Sequence, residues 1–220
     1  GPATLALSLM AAGLAFEDAI RLGGRASLSV AEAQMSAIRA VAPSAQFLVA
    51  LDEPSIDLLS REVIPCEYMR ALDEISRVIA TLETSATTGL HCCAETDWKL
   101  LMDTRPAVLF APLDAGILGV PGPLATHLDG GGWVCWGVVP TAQPVGSTGD
   151  HLWKRLASSW CELVQAGCDP VRLRTQALVS PECGLASQGA TQADRIVALT
   201  HRVAERVHDQ VVAVRFAMGA

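Results

Sequence analysis

The amino-acid sequence predicts an α/β fold made of repeated strand-helix units, a (β/α)8 TIM-type barrel lacking its first two to three strands. Three observations point there. Compact apolar runs alternate with longer helical patterns along all 220 residues, with no low-complexity segment, charge block or Ser/Gly linker between them. Five such runs are legible, where a closed barrel has eight strands and about 250 residues. The side chains capable of chemistry fall at the carboxyl ends of the runs, where parallel β-α architectures build their sites. Pattern alone separates a barrel from an open doubly wound sheet poorly. No Gly-x-Gly-x-x-Gly follows a strand and opens a helix, and Gly130-Gly131-Gly132 precedes a strand, so it reads as a turn and not as a phosphate cradle.

The first third reads as two helices, about Ala3 to Ala15 and Ser29 to Val41, with Ser27 or Ser29 as caps. Strands are expected at Gln46 to Leu51, Thr87 to Cys93, Val108 to Leu113, Trp133 to Val139 and Thr175 to Val179, each a short apolar run suited to burial on both faces of a parallel sheet. Helices are expected at Pro65 to Glu83, where Met69, Leu72, Ile75 and Ile79 recur at helical spacing, then at Thr96 to Met102, Pro123 to Leu128, His151 to Gln165 and Gln192 to Met218. The whole chain, 1–220, reads as a single catalytic barrel domain, truncated at its amino end.

Composition narrows the partners. A net charge of −7 offers no basic footprint for nucleic acid or anionic lipid. The uncharged amino-terminal stretch, Gly1 to Phe16, is shorter than a membrane span and lacks the basic flank of a secretion signal. Seven cysteines scattered through a long chain are unlike a disulfide framework and favour a reducing, cytoplasmic compartment, leaving thiolates for a metal. The expected partners are small molecules, with neither nucleic acid nor membrane.

Asp52 and Glu53 follow the first strand, His91 and Cys93 finish the second, Asp114 follows the third and Cys183 follows the last. His91 and Cys93 stand two apart, so the strand pleat points them one way and Cys92 the other. A third donor from Cys183 and an oxygen from Asp114 complete a soft tetrahedral set suited to zinc. The bland alternative is a buried strand with two small apolar cysteines and a hydrogen-bonded histidine.

Read together, Gly1-Pro2-Ala3-Thr4-Leu5-Ala6, Leu51-Asp52-Glu53-Pro54, His91-Cys92-Cys93 and Ser180-Pro181-Glu182-Cys183-Gly184-Leu185 resemble the C-terminal catalytic domain of cobalamin-independent methionine synthase and its short single-domain relatives. The resemblance runs over essentially the whole chain and implies a barrel of the methionine synthase/uroporphyrinogen decarboxylase-like type. It implies a zinc ion held by His91, Cys93, Cys183 and a carboxylate, with Asp114 where the family usually carries glutamate. It also implies Asp52 as the contact for the substrate ammonium group, a charge-assisted pairing, with Glu53 beside it. The implied activity is methyl transfer to the thiol of homocysteine, forming methionine, from 5-methyltetrahydrofolate or a methylcorrinoid protein. Folate-dependent members carry an Asp-x-His-Ser loop where this chain has Val138-Val139-Pro140-Thr141-Ala142. The family's Gly-Pro-x-Thr segment follows a third strand, hence the expected truncation, with a second copy of the chain as one cover for the exposed barrel edges. The rival readings are a uroporphyrinogen decarboxylase-like barrel without metal and a non-catalytic remnant.

Other conspicuous residues read as structural. Trp133, Trp136, Trp153 and Trp160 are assigned to packing ahead of stacking on a flat ring. Cys66, Cys135, Cys161 and Cys168 are assigned to packing, and Glu95 and Asp97 to the start of a helix.

Overall fold

The computed structural model describes residues 1–62, 65–146 and 148–217, without the side chains of 60–66 and 214–217. Cys66 therefore lies outside the described side chains, and the expected helix end at Met218 lies outside the described residues. Among the described residues, five strands form one sheet in the order β1-β2-β3-β4-β5. They are β1 (Leu48–Asp52), β2 (Thr87–His91), β3 (Val108–Pro112), β4 (Trp133–Val139) and β5 (Ala177–Pro181), each within two residues of the expected bounds at either end. The chain divides into two compact units, Gly1–Leu109 and Phe110–Ala220.

In the first unit, α1 (Pro2–Ala11) opens on a proline at its first turn, where the missing N–H costs nothing. It packs on α2 (Phe16–Val41), which begins far ahead of the expected Ser29. Gly23 and Gly24 lie ahead of the expected start, and both are helical and buried. A β-carbon on Gly23 would stand 2.4 Å from the Pro2 carbonyl oxygen, so the glycine permits the close crossing of α1 and α2. Ser27 and Ser29 consequently lie inside α2 and cap nothing. A short helix absent from the sequence reading, α3 (Ile56–Glu62), precedes α4 (Pro65–Leu82). On α4 the buried face runs through Tyr68, Leu72, Ile75, Ile79 and Leu82, and Met69, expected inside, is exposed. Strands β1 and β2 pair in parallel, with Asp52 opposite His91. Helix α5 (Trp98–Asp103) starts on Asp97, whose carboxylate accepts the Leu100 N–H at 3.0 Å, the expected helix-opening role.

In the second unit, every residue of β4 except Trp133 is buried, which accounts for its unbroken apolar run. Helix α6 (Pro121–Asp129) ends in the glycine run, whose three amides donate to the carbonyls of Thr126, Leu128 and His127. Those N–H groups are consumed by a helix end and cannot cradle a phosphate. Helix α7 (Asp150–Gln165) buries Leu152, Leu156, Trp160 and Leu163 at helical spacing. The strand expected from Thr175 starts instead at Ala177, because Asp169 caps a further short helix, α8 (Pro170–Thr175), through the N–H groups of Val171 and Arg172. Helix α9 (Ala190–Ala217) turns Ile196, Leu199, Val203 and Val207 inward. Trp136 and Trp160 are core residues, and Trp153 meets Trp160 edge to face at 6.1 Å; Trp133 is 39 % exposed. Among the described residues, no helix is long and apolar enough to cross a membrane.

Candidate metal centre

The strand ends carry the donors. His91 is the last residue of β2, and Cys93 lies two residues beyond it. Cys92 and Cys93 thus lie past the end of β2, which stops two residues short of the expected strand, yet burial still alternates. Cys92 is fully buried while His91 and Cys93 are only partly so. The Cys92 thiol donates to the Ala94 carbonyl at 3.6 Å, and burial pushes its pKa up to about 12, so it stays protonated and apart from metal chemistry. Cys183 follows β5 by two residues, and the intervening Glu182 N–H donates to the Val139 carbonyl at 3.0 Å, carrying the sheet bonding up to the cysteine.

His91, Cys93 and Cys183 form a group that could hold a metal ion. Each offers one ligand atom, and these atoms all lie within 4.8 Å of one another. Tetrahedral bonds of about 2.0–2.3 Å place ligand atoms roughly 3.3–3.8 Å apart. The observed bound is close enough to reach that spacing by small side-chain rotations. One nitrogen and two sulfurs are a soft set that suits zinc, and three protein ligands leave a fourth position for an exchangeable group. The chemistry of the donors fits the ion.

The carboxylates separate into different roles. Asp52 places Oδ1 2.6 Å from Nδ1 of His91. This bond, ahead of the opposing effect of partial burial, holds the Asp52 carboxyl below the usual range. Glu53 has no exposed surface and binds the start of α1. Its Oε1 accepts the Ala3 N–H at 2.9 Å and its Oε2 the Thr4 N–H at 2.7 Å. Desolvation nevertheless raises its pKa. Asp114 stands two residues past β3, is largely exposed, and pairs with Arg155 of α7; the ligand group does not include it. The same guanidinium reaches Glu182 at 3.8 Å. Burial, with Asp114 adding to it, raises the Glu182 pKa against the pull of Arg155.

The contacts of Arg155 with Asp114 and Glu182 were not legible in the sequence. An arginine in an amphipathic helix carries no signal of its own, because its meaning comes from which strand ends it meets.

One of the solved structures matching this chain is a B12-independent methionine synthase from Shewanella sp. W3-18-1 in complex with selenomethionine, at 13 % sequence identity and a TM-score of 0.62. The chain is similar to it in fold. The match takes in 91 % of this chain and 58 % of that protein, so the chain spans less than two thirds of its length. No protein-family profile and no curated protein sequence matches the chain.

Proposed function

We propose that this protein is a zinc-dependent methyltransferase acting on the thiol of homocysteine to form methionine, built on part of a (β/α)8 barrel. The observation that carries the reading is the group of His91, Cys93 and Cys183 at the ends of parallel strands. The likeness of fold to a methionine synthase supports it.

His91 would bind through Nε2, and Cys93 and Cys183 as thiolates. Zinc bound there would lower the pKa of a substrate thiol, mostly protonated at neutral pH, and yield a nucleophilic thiolate. The two cysteines balance the charge of a divalent ion, and three protein ligands leave room for the substrate sulfur. Asp52, exposed and negative, offers a partner to an ammonium group near the site. Glu53 holds the turn that carries Asp52 by tying it to α1. In the transfer, the homocysteine sulfur forms a new bond to the methyl carbon as the carbon's bond to the donor breaks, and that bond's electron pair stays with the donor. The thiol proton would pass to solvent when the substrate sulfur takes the open position. Val138 to Ala142 supplies no acidic or imidazole group for protonating a leaving folate, which favours a methylcorrinoid protein over 5-methyltetrahydrofolate as donor.

The test is metal analysis of the purified chain beside His91→Ala and Cys183→Ser. The reading expects about one zinc per wild-type chain and loss in both variants. Equal zinc in all three would remove the ligand assignment, and a metal-free wild type that cannot be loaded would favour the decarboxylase-like alternative. After cobalt substitution, homocysteine should shift the visible absorption; an unchanged spectrum on titration would argue against thiol activation.

A further inference from the structure

We propose that Asp52 is a positioning residue for the metal centre, acting through His91, in addition to any contact it makes with substrate. The inference rests on the zinc reading above and concerns a contact on β1 and β2. Asp52 and His91 are register partners at the carboxyl ends of these parallel strands. The backbone on both sides of the pair is held, since Leu51 stands opposite Leu90 and the Glu53 N–H donates to the His91 carbonyl at 2.8 Å. From this fixed base the Asp52 carboxylate reaches Nδ1 of the imidazole at 2.6 Å, a charge-assisted length.

A carboxylate only accepts hydrogen bonds, so it requires the proton of a neutral imidazole to sit on Nδ1. That tautomer leaves Nε2 with its lone pair, which is the form a metal binds. The contact also stops the ring from turning about its bond to Cβ, and the negative charge behind it makes the donor nitrogen more basic. A structural role explains the pair less well. The Asp52 side chain is 64 % exposed, and ion pairs in such settings stabilise folds little. Strand pairing already joins the two residues without the side chains.

The experiment measures zinc affinity by chelator competition, the cobalt absorption spectrum, and the thermal midpoint of the metal-free chain, for wild type, Asp52→Ala, Asp52→Asn and Cys183→Ser. Asp52→Ala should weaken zinc binding about 10- to 100-fold, the usual effect of losing a group that orients a ligand. Its metal-free midpoint should match wild type. Asp52→Asn, whose amide oxygen can still accept the Nδ1 proton but carries no charge, should fall between the two. The cobalt spectrum of Asp52→Ala should change in band position or intensity, because the imidazole is no longer held. If wild type binds zinc, Cys183→Ser does not, and Asp52→Ala binds as tightly as wild type with the same spectrum, this inference is overturned while the zinc reading stands. A drop in the metal-free midpoint of Asp52→Ala that accounts for its weaker binding would also overturn it, by making the contact a structural one. If wild type itself binds no zinc, the centre and this inference fall together.

Discussion

Replacing Gly137 with alanine tests how tightly the second unit is built around the cysteine at its strand ends. Gly137 lies in β4, and an added β-carbon would meet the α-carbons of Glu182 and Pro112 at 3.0 Å each, and the Pro112 nitrogen at 3.3 Å. Carbon atoms sit comfortably about 3.5–4.0 Å apart, so the spacing to each α-carbon is short by roughly 0.5–1 Å. The crowding atoms are all backbone and cannot rotate away. Overpacking of this kind costs about 1–3 kcal/mol, and the two-sided squeeze argues for the upper half of that range. Against it stands a gain of about 0.5–1 kcal/mol for removing glycine from a strand. The net is a loss of about 1–2.5 kcal/mol. At about 2–4 °C per kcal/mol for a chain of this size, the unfolding midpoint falls by about 2–10 °C. Glu182 directly precedes Cys183, so its displacement passes to the sulfur, and zinc affinity should fall as well. Circular dichroism melts of the metal-free protein and chelator competition read the two effects. Gly119→Ala, where an added β-carbon meets nothing within 4 Å, serves as the control and should melt with wild type. A Gly137→Ala protein that melts at or above the wild-type temperature with undiminished zinc binding would refute the reasoning.

Three further outcomes are expected. Half-buried His127 has its pKa lowered by desolvation while its Nε2 donates to the Trp133 carbonyl at 3.1 Å. Its neutral form therefore supports folding above about pH 6.5, and that support is lost as pH falls through the lower folded-state value, where the unfolded chain binds the proton more readily. Urea titrations at pH 7.5 and 5.5 should show a smaller acid-induced loss in His127→Gln than in wild type, and equal losses would count against it. Glu53→Gln turns one buried acceptor into a donor facing an N–H of α1, at a cost of about 1.5–3 kcal/mol; an unchanged urea midpoint at pH 7 would mean the carboxylate does not anchor that helix. Brief alkylation followed by mass spectrometry should label exposed Cys161, spare Cys92 and Cys135, whose thiols burial pushes to about 12 and about 11, and slow at Cys93 and Cys183 once zinc is added. Labelling of Cys92 at the rate of Cys161 would contradict its burial.

What could be read from the chain without coordinates was whatever local chemistry decides. Unbroken apolar runs such as Val134 to Val139 announce strands buried on both faces, and the 3.6-residue recurrence on α4, α7 and α9 announces helices. Asp97 before Trp98 announces a helix start. The expected alternation holds in burial, with Cys92 inside and His91 and Cys93 partly exposed, although β2 itself ends at His91. Where the sequence misled, a distant partner had overruled the local preference. The second helix was expected from Ser29 and starts at Phe16, and inside it Gly23 lets the Pro2 carbonyl stand where a β-carbon would be. Met69 and Tyr68 compete for one inward place, and only packing decides between them.

The candidate site divides along the same line. Donor types and strand-end positions are determined by the sequence, since imidazole and thiol chemistry belongs to the residues themselves. Only the tertiary structure decides that ligand atoms from residues 91, 93 and 183 lie within 4.8 Å of one another. It alone engages Asp52 with an imidazole and Asp114 with Arg155. A carboxylate's partner is set by distances of a few ångströms between segments far apart in the chain, and no pattern in either segment encodes that distance.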